Sequence, residues 1–587
     1  MRVKDINNVL QFFIVAGKNQ IAAKIFYEIA DFLEIQGVQW KPIAYRKVAR
    51  TIESLSEDVE EIYKRGGVKA LKEIPGVGEN ISKKLEEIIK TGKLAYHDRL
   101  KKEFPFDIES LTEIPGLGPK KAKKLYDALG VKNRDELKKA AEEGRVREVE
   151  GFDAKSEENI LKGIAMLERT KGRVLLGYAF GEINAIIQKL KRDTPVQRIS
   201  AAGSVRRMKE TIGDLDILVT STEPEKVMDY FTAMPEVERV IAKGMTKSAV
   251  VLHSGLSCDI RVVSDEEYGS ALQYFTGSKE HNIALRRIAL SKGMKLSEYG
   301  LFKNGKRIAG REEEEVYKAL GLEWIPPELR ENRGEIEAAQ EGKLPELVRL
   351  EEIRGDLHIH TDWSDGANTI AEMASAAERL GYEYIAITDH AGKLKIAGGL
   401  DERRLAEHSA AVEAAEKKVS IRLLKGAEVD INKDGSLAVS SSALKGLDFV
   451  VAAVHSNFNM EKDEMTSRIM KAMEEECVDA IAHPSCREIG SREPVKLDFD
   501  AIYQAAADTG TLLEINAYPT RLDLWDSEIK RAKEEFGTEF VIGTDSHSTD
   551  HLRFMEIGVG MARRGWLEKD DLINTRGFKA IAKKLGI

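Results

Sequence analysis

Cysteine is scarce in this chain of 587 residues: Cys258, Cys477 and Cys486 are the only three, and their spacing fits neither a disulfide framework nor a thiolate metal site. Such usage suits a reducing compartment. No run of about 18 uninterrupted apolar residues occurs, and the N-terminus lacks the basic, apolar, then small pattern of a signal peptide. A membrane span is therefore not expected, and the chain is expected to be soluble and cytoplasmic. The length requires several domains, and a 32% charged content rich in Glu and Lys hints at a heat-adapted source. Net positive charge is missing as well, at −9 overall, which taken uniformly would disfavour a polyanionic partner. The charge is not uniform. Residues 1–350 hold 60 Lys and Arg against 56 Asp and Glu, a balance of +4, whereas residues 351–587 hold 30 against 43, a balance of −13, together with eight of the eleven histidines. Two machines of different character are joined.

The stretch Ala201 to Thr220, AAGSVRRMKETIGDLDILVT, organises the first machine. Asp214 and Asp216 lie two apart in an apolar run that reads as a buried strand, where residues i and i+2 project from one face. Side-by-side carboxylates repel unless a cation sits between them, so the pair makes sense as a divalent-metal seat. Asp259, in a second pair of strand-like runs (Val250 to Leu252 and Ile260 to Val263) around a Gly-containing turn, supplies a third carboxylate. Upstream, Gly203 and Ser204 open a tight turn able to grip a triphosphate, with Arg206 and Arg207 beside it to neutralise charge. Paired aspartates alone are common at strand ends; the turn, the arginines and Asp259 together are what make this set chemical.

Helical periodicity covers Ile6 to Ile35, and a second amphipathic pattern, Pro42 to Leu55, carries a basic face that begins at Lys41. LKEIPGVG at Leu71 to Gly78 recurs as LTEIPGLG at Leu111 to Gly118, each followed by a Lys-rich amphipathic helix, and a degenerate third copy runs from Val149 to Ile164 around Gly151. A Pro-Gly-x-Gly turn between helices exposes N–H groups to a phosphate. The repeat resembles helix-hairpin-helix motifs, and the resemblance implies that Gly76, Gly78, Gly116 and Gly118 are DNA-backbone contacts that position without reading sequence. A helix is expected from Tyr178 to Lys191 and another from Ala271 to Ser291, followed by a Pro- and charge-rich stretch from Glu323 to Ile353. Beyond it, seven apolar runs alternate with helix-like stretches. Six close on metal-ligand types: His358 and His360, Asp389 and His390, Glu428, His455, His483, and Asp545 with His547; Asp365 follows the first run, and the seventh, LLEIN, ends on Asn516 with no ligand assigned. Polar groups at strand C-terminal ends are the pattern of a (β/α) barrel mouth, and so many histidines gathered there point to metal rather than to core packing.

GSVRRMKETIGDLDIL, CDIR and YFTGSKEHN resemble the nucleotidyltransferase core of family X DNA polymerases, and DLHIHTDWSDG, ITDH, GAEVDI, AVHS, AHPS and GTDSH resemble the PHP (polymerase and histidinol phosphatase) domain of prokaryotic members. The resemblance spans nearly the whole chain. It implies a multidomain fold: helix-hairpin-helix domains, an α+β nucleotidyltransferase palm with a thumb, and a C-terminal PHP distorted (β/α)7 barrel. The divisions it suggests are an N-terminal lyase-like DNA-binding domain at 1–97, fingers at 98–170, palm at 171–265, thumb at 266–322, linker at 323–350 and the PHP phosphoesterase at 351–587. Asp214, Asp216 and Asp259 become the catalytic carboxylates holding Mg²⁺ or Mn²⁺. Gly203, Ser204, Arg207, Gly213, Tyr274, Phe275, Gly277 and Asn282 become nucleotide contacts, with Tyr274 and Phe275 against the sugar and Asn282 at the base edge. Arg261 and Arg286 become DNA contacts. Lys84 is placed as a Schiff-base lyase nucleophile with Lys41 and Tyr45 on the 5′-phosphate, although Asn80 replaces a family lysine and Lys124 holds the equivalent register in the second hairpin. The PHP ligand positions are filled by His358, His360, Asp365, His390, Glu428, His455, His483, Asp545 and His547, which implies about three Mn²⁺ or Zn²⁺ ions.

The resulting expectation is a monomeric gap-filling DNA polymerase acting on gapped or primed DNA and deoxynucleoside triphosphates, with a metal-dependent 3′–5′ exonuclease in the barrel and a dRP lyase at Lys84. A template-independent nucleotidyltransferase with a phosphatase barrel shares the Gly-Ser and DxD residues; the hairpins and YFTG favour templated synthesis. Abasic-site incision and 3′-phosphatase activity stay open for the barrel. A non-enzymatic DNA-binding scaffold would carry defective ligand sets, and both sets here are complete.

Overall fold

The computed structural model describes residues 18–587 apart from 54, 56–57, 171 and 393–397. The helix read from Ile6 is a helix over Lys18–Ile35, and its earlier part lies outside the described residues. The chain divides into two compact units, the first ending at Gly172 and the second running from Arg173 to the C-terminus apart from residues 490–492.

The first unit is helical, with a core that gathers Phe26, Phe32, Leu85, Leu111 and Leu125. Its two hairpins turn identically: Ile74 and Val77 donate to Leu71 and Ile74, as Ile114 and Leu117 donate to Leu111 and Ile114. Gly76 and Gly116 stand at φ +81° and +79°, a region that glycine enters without a Cβ clash. Helices Glu79–Thr91 and Pro119–Leu129 then start on Gly78 and Gly118. The third copy is real: Val149 and Phe152 donate to Val146 and Val149, and Gly151 takes φ +86° before helix Ala154–Thr170.

The second unit holds two sheets that matter for chemistry. A five-stranded mixed sheet runs in the order Val196–Ala201, Asp214–Ser221, Ser257–Val262, Lys247–Leu252, Val237–Lys243, with helix Leu176–Asp193 against it. Where one helix was expected over Ala271 to Ser291, there are two, Tyr268–Thr276 and Lys279–Ser291. Gly277 at φ +71° breaks the first, and the Ser278 hydroxyl caps the second by accepting from the His281 N–H. The segment 323–350, expected as a linker, is packed: Arg330 and Glu335 are fully buried, paired with Glu313 and His281.

The barrel's seven principal strands are parallel and pair in chain order: Gly355–Ile359, Tyr384–Ile387, Arg422–Asp430, Phe449–Ala453, Ala480–Ile481, Leu512–Asn516 and Phe540–Gly543. A two-residue strand, His390–Ala391, adds to the third. Most strand residues are buried on both faces, which is why they read as continuous apolar runs. Between first and last strands the buried Asn574 spans the seam, donating to the carbonyls of Gly355 and Ile542 at 3.0 and 2.9 Å and accepting from Ile542 N–H at 2.7 Å. Ile359 bridges to Ser546 above it, so the barrel is nearly closed.

Candidate functional site

Strand Asp214–Ser221 runs parallel to Ser257–Val262 with Asp216 directly opposite Asp259, and Asp214 is two residues away on the same face. Three carboxylates therefore share one patch, and Asp214 is exposed. Burial, then the charges of Asp214 and Asp259, push the Asp216 carboxyl up to about 6. A divalent cation answers that repulsion, so the donor set fits one. The set is loose all the same: among the described residues, the His, Cys, Asp and Glu groups gathered within 4.8 Å all lie in the barrel, and the Lys247 ammonium sits 2.6 Å from Asp259 Oδ2. Gly203 is at φ +63°, and a Cβ there would fall 2.5 Å from Asp216 Oδ2, so only glycine lets the Gly-Ser turn come this close to the carboxylate.

Around this patch the nucleotide-side residues assemble unevenly. Arg207 donates to the Thr276 carbonyl and, from Nε, to Glu331 at 3.1 Å, with its guanidinium over Gly277. Ser204 is half-buried in the turn. Gly213 backs onto Arg173, whose Nη1 would be 3.0 Å from a Cβ. Tyr274 and Phe275 meet edge to face at 5.1 Å, and Arg261 lies 4.4 Å over the Phe275 ring. Asn282 is turned inward: its amide donates to the Tyr274 carbonyl at 2.8 Å and accepts from Gln273 at 2.6 Å. The exposed Arg286 donates from Nε to the Asn282 carbonyl. Arg206 is not available to a triphosphate, because Glu313 takes both its Nη groups at 2.8 Å and Thr276 accepts a third bond. Against the opposing effect of burial, Arg330 and then Arg206 hold Glu313 far below the ordinary carboxylate range.

In the helical unit, Lys84 donates to the Tyr45 hydroxyl and lies 4.5 Å from the Tyr96 ring centroid. Burial lowers its pKa, the direction a Schiff-base amine requires. Tyr45 is largely buried and already engaged by Lys84, whereas Lys41 is exposed. Lys124, its counterpart in the second hairpin, is exposed beside Glu150. Gly76, Gly78, Gly116 and Gly118 are all exposed, and only Gly76 has a neighbour within 4 Å of a built Cβ.

The barrel mouth brings its nine ligand candidates together. His360, Asp365, His390 and His547 form one group; His358, His360 and Asp545 a second; His390, Glu428 and His455 a third. His360 and His390 belong to two groups each, which strings the three into one cluster. His483 joins through a 3.0 Å contact between its Nε2 and Glu428 Oε1. The Nε2 atoms of His358 and His360 face each other at 3.2 Å, so at most one of them carries a proton. Converging imidazole lone pairs of this kind fit divalent cations. The rings are strongly differentiated. Burial, with His547 and His390 nearby, pushes His360 down to about 4, and burial with Arg521 pushes His483 to about 3. Burial opposes protonation of His455 and His547 too, but Glu428 and Asp365 respectively overcome it and raise each to about 9. His483 and Asp545 hold positive φ, backbone strain of the sort kept at functional sites.

Several partners behind the ligands escaped the sequence reading. Glu514 Oε1 is 2.6 Å from His358 Nδ1, and Asp430 Oδ1 is 2.6 Å from His455 Nδ1, so each carboxylate orients an imidazole with Nε2 toward the cluster. Asp389 is not a ligand: Thr361, Ser364 and the buried His408 occupy its oxygens. Asn516 donates to Asp545 Oδ2, and Arg521 Nε lies 3.4 Å from the same oxygen. The signal was present in GAEVDI and LLEIN, where Glu428 and Asp430, like Glu514 and Asn516, are two apart on one strand face.

Comparison with known proteins covers both units. A helix-hairpin-helix domain matches residues 17–94, a SAM-like helix-hairpin-helix tandem 108–165, the DNA polymerase beta thumb 271–331 and the PHP domain 356–517. The chain is 37% identical over 564 residues to the DNA polymerase/3′-5′ exonuclease PolX of Bacillus subtilis, covering 95% of this chain and 97% of that protein. A probable phosphatase of Acetivibrio thermocellus is 32% identical over 201 residues, 33% of this chain and 78% of its own length. DNA polymerase lambda of Rattus norvegicus is 25% identical over 337 residues, 52% of this chain and 54% of its own.

Proposed function

Because the chain belongs to the family X DNA polymerases that carry a C-terminal PHP domain, we propose that it fills short gaps in DNA during repair and trims 3′ ends in its barrel. The observation that carries this reading is the presence of two separate candidate metal centres in one chain, the carboxylate patch around the Asp216–Asp259 pair and the histidine-rich cluster. In the palm, Asp214, Asp216 and Asp259 hold Mg²⁺ or Mn²⁺, Arg207 neutralises the triphosphate, and Asp259 takes the proton of the primer 3′-hydroxyl. Tyr274 and Phe275 bound the sugar, and Arg286 and Arg261 face the DNA. In the barrel the nine ligands hold about three Mn²⁺ or Zn²⁺ ions. Bound divalent ions supply Lewis-acid stabilisation of the phosphoryl group in both centres. Glu514 and Asp430 fix the tautomers of His358 and His455 so that their Nε2 lone pairs face inward.

Hairpins one and two deliver gapped DNA by its backbone, with Lys84 as the amine that attacks an abasic sugar. The proposed divisions are 1–97, 98–170, 171–265, 266–322, 323–350 and 351–587. Among the described residues no helix is long and apolar enough to cross a membrane; a monomer working in the cytoplasm is proposed. Similarity to a probable phosphatase keeps a second reading for the barrel, a phosphomonoesterase that releases inorganic phosphate, including from 3′-phosphate ends. Primer extension on gapped and blunt DNA, with and without a template strand, tests the palm reading: templated extension across the gap is expected. Addition that ignores the template would replace the polymerase by a terminal nucleotidyltransferase.

A further inference from the structure

The palm segment between the Gly-Ser turn and the aspartates is seated on the barrel at Arg207, Met208 and Glu210, with Lys209 between them paired to Glu331 of the 323–350 segment. Arg564, on barrel helix Met555–Arg564, has a fully buried side chain whose Nη1 donates to the Arg207 carbonyl at 2.7 Å and to Glu331 Oε1 at 3.0 Å, while Nη2 donates to Asp526. The same Glu331 oxygen accepts from Arg207 Nε at 3.1 Å, so one carboxylate oxygen is shared by two guanidinium groups. Met208, at φ +54°, rests on Gly560, where a Cβ would fall 2.5 Å from its Cε. Lys209 Nζ is 3.9 Å from Glu331, and Glu210 accepts from barrel residue Arg487 at 2.7 Å.

We infer that Arg564 is a positioning residue for the polymerase site: from the barrel, it fixes the backbone of Arg207 and, through Glu331, the attitude of the guanidinium that receives the triphosphate. The inference rests on the reading of Arg207 as a triphosphate contact. Its physics is direct. A half-buried carbonyl deprived of its charged donor loses a charge-assisted bond, and Glu331, with one guanidinium partner fewer, holds Arg207 harder and away from a ligand. Among the described residues, the ion pairs of this knot set Arg207, Lys209, Arg564 and the half-exposed Arg333 against Glu331 and Asp526, so the cluster carries surplus positive charge that a polyanion matches.

The test is gap filling by the full chain at varied deoxynucleotide concentration, with R564Q, R564K, R207Q and the R564Q/R207Q double variant. R564Q is expected to raise KM for the nucleotide about tenfold with kcat within about twofold, R564K to recover part of that loss, and the double variant to match R207Q alone, because both changes act through one group. Nucleotide release from 3′ ends by the same preparations, expected within about twofold of wild type, serves as the folding control. An unchanged KM in R564Q beside a raised KM in R207Q overturns the inference, and so do additive losses in the double variant. An unchanged KM in R207Q removes the reading of Arg207, and the inference with it. Should R564Q not fold, R564K carries the test: a raised KM at constant kcat supports the positioning role, and an unchanged KM overturns it.

Discussion

Asp216 is a residue whose charge the folded chain holds at a cost. Its carboxyl is pushed up to about 6 by burial and by two neighbouring carboxylates, so the folded state holds its proton more tightly than the unfolded state does. Stability from this group is therefore complete below the unfolded value near 4 and is lost as pH rises through about 6. Metal-free D216N should be more stable than metal-free wild type at pH 7.5, by at most about 3 kcal/mol, and should melt higher accordingly, with the gap closing near pH 4. Equal melting of the two proteins at both pH values contradicts the repulsive patch. At Lys84 the lowered pKa enlarges the neutral amine fraction at pH 7. Borohydride is expected to trap a covalent adduct with incised abasic DNA, and Lys84→Ala to remove it; trapping that persists moves the chemistry to another lysine. The three palm aspartates were legible because spacing on strands dictates facing. The capture of Arg206 by Glu313 was not, since its partner lies 107 residues downstream and nothing local marks it.

Three hairpins share one turn geometry, yet they differ at the position where a phosphate would approach. Gly78 and Gly118 begin their helices with no side chain in the way. At the matching position of the third stands Asp153, whose carboxylate accepts from the Ser156 N–H at 2.7 Å and fills the anion position itself. Gapped-DNA binding should weaken with salt at a slope of several phosphates, since backbone contacts release counterions. Gly78→Asp or Gly118→Asp should weaken binding and flatten that slope by about one, while Asp153→Ala leaves both within about twofold. A salt-independent affinity, or equal effects at all three positions, argues against phosphate clamping by the first two. The repeats were readable from their period, and the barrel strands from apolar runs that end on ligand types. The break at Gly277 was marked locally, since Gly followed by the capping Ser278 is a stop-and-start signal, but the helical periodicity on either side carried the reading through it; the packing of 323–350 was hidden because its Pro- and charge-rich composition resembles a linker while Arg330 and Glu335 find buried partners elsewhere.

On the scale of the whole chain, two centres with different chemistry share one compact unit. The palm carboxylates are loose and partly solvent-facing, while the barrel ligands are mostly buried, with Asp365, His455 and His547 half-buried, and interlocked through His360 and His390. The acidic balance of residues 351–587, −13, disfavours free duplex, so on the proposed reading the barrel would depend on the rest of the chain to present a DNA end. Nucleotide release by the full chain should fall steeply with salt in step with gapped-DNA binding. The central claim is that synthesis and 3′-end hydrolysis are separate activities of separate centres. Its most direct test follows an end-labelled primer on gapped DNA with Mg²⁺, Mn²⁺ and nucleotides, using wild type, D216N and H360A. D216N is predicted to shorten the primer without extending it, and H360A to extend it without releasing nucleotides. Loss of both activities in either folded variant, or survival of nucleotide release in H360A, would contradict the account.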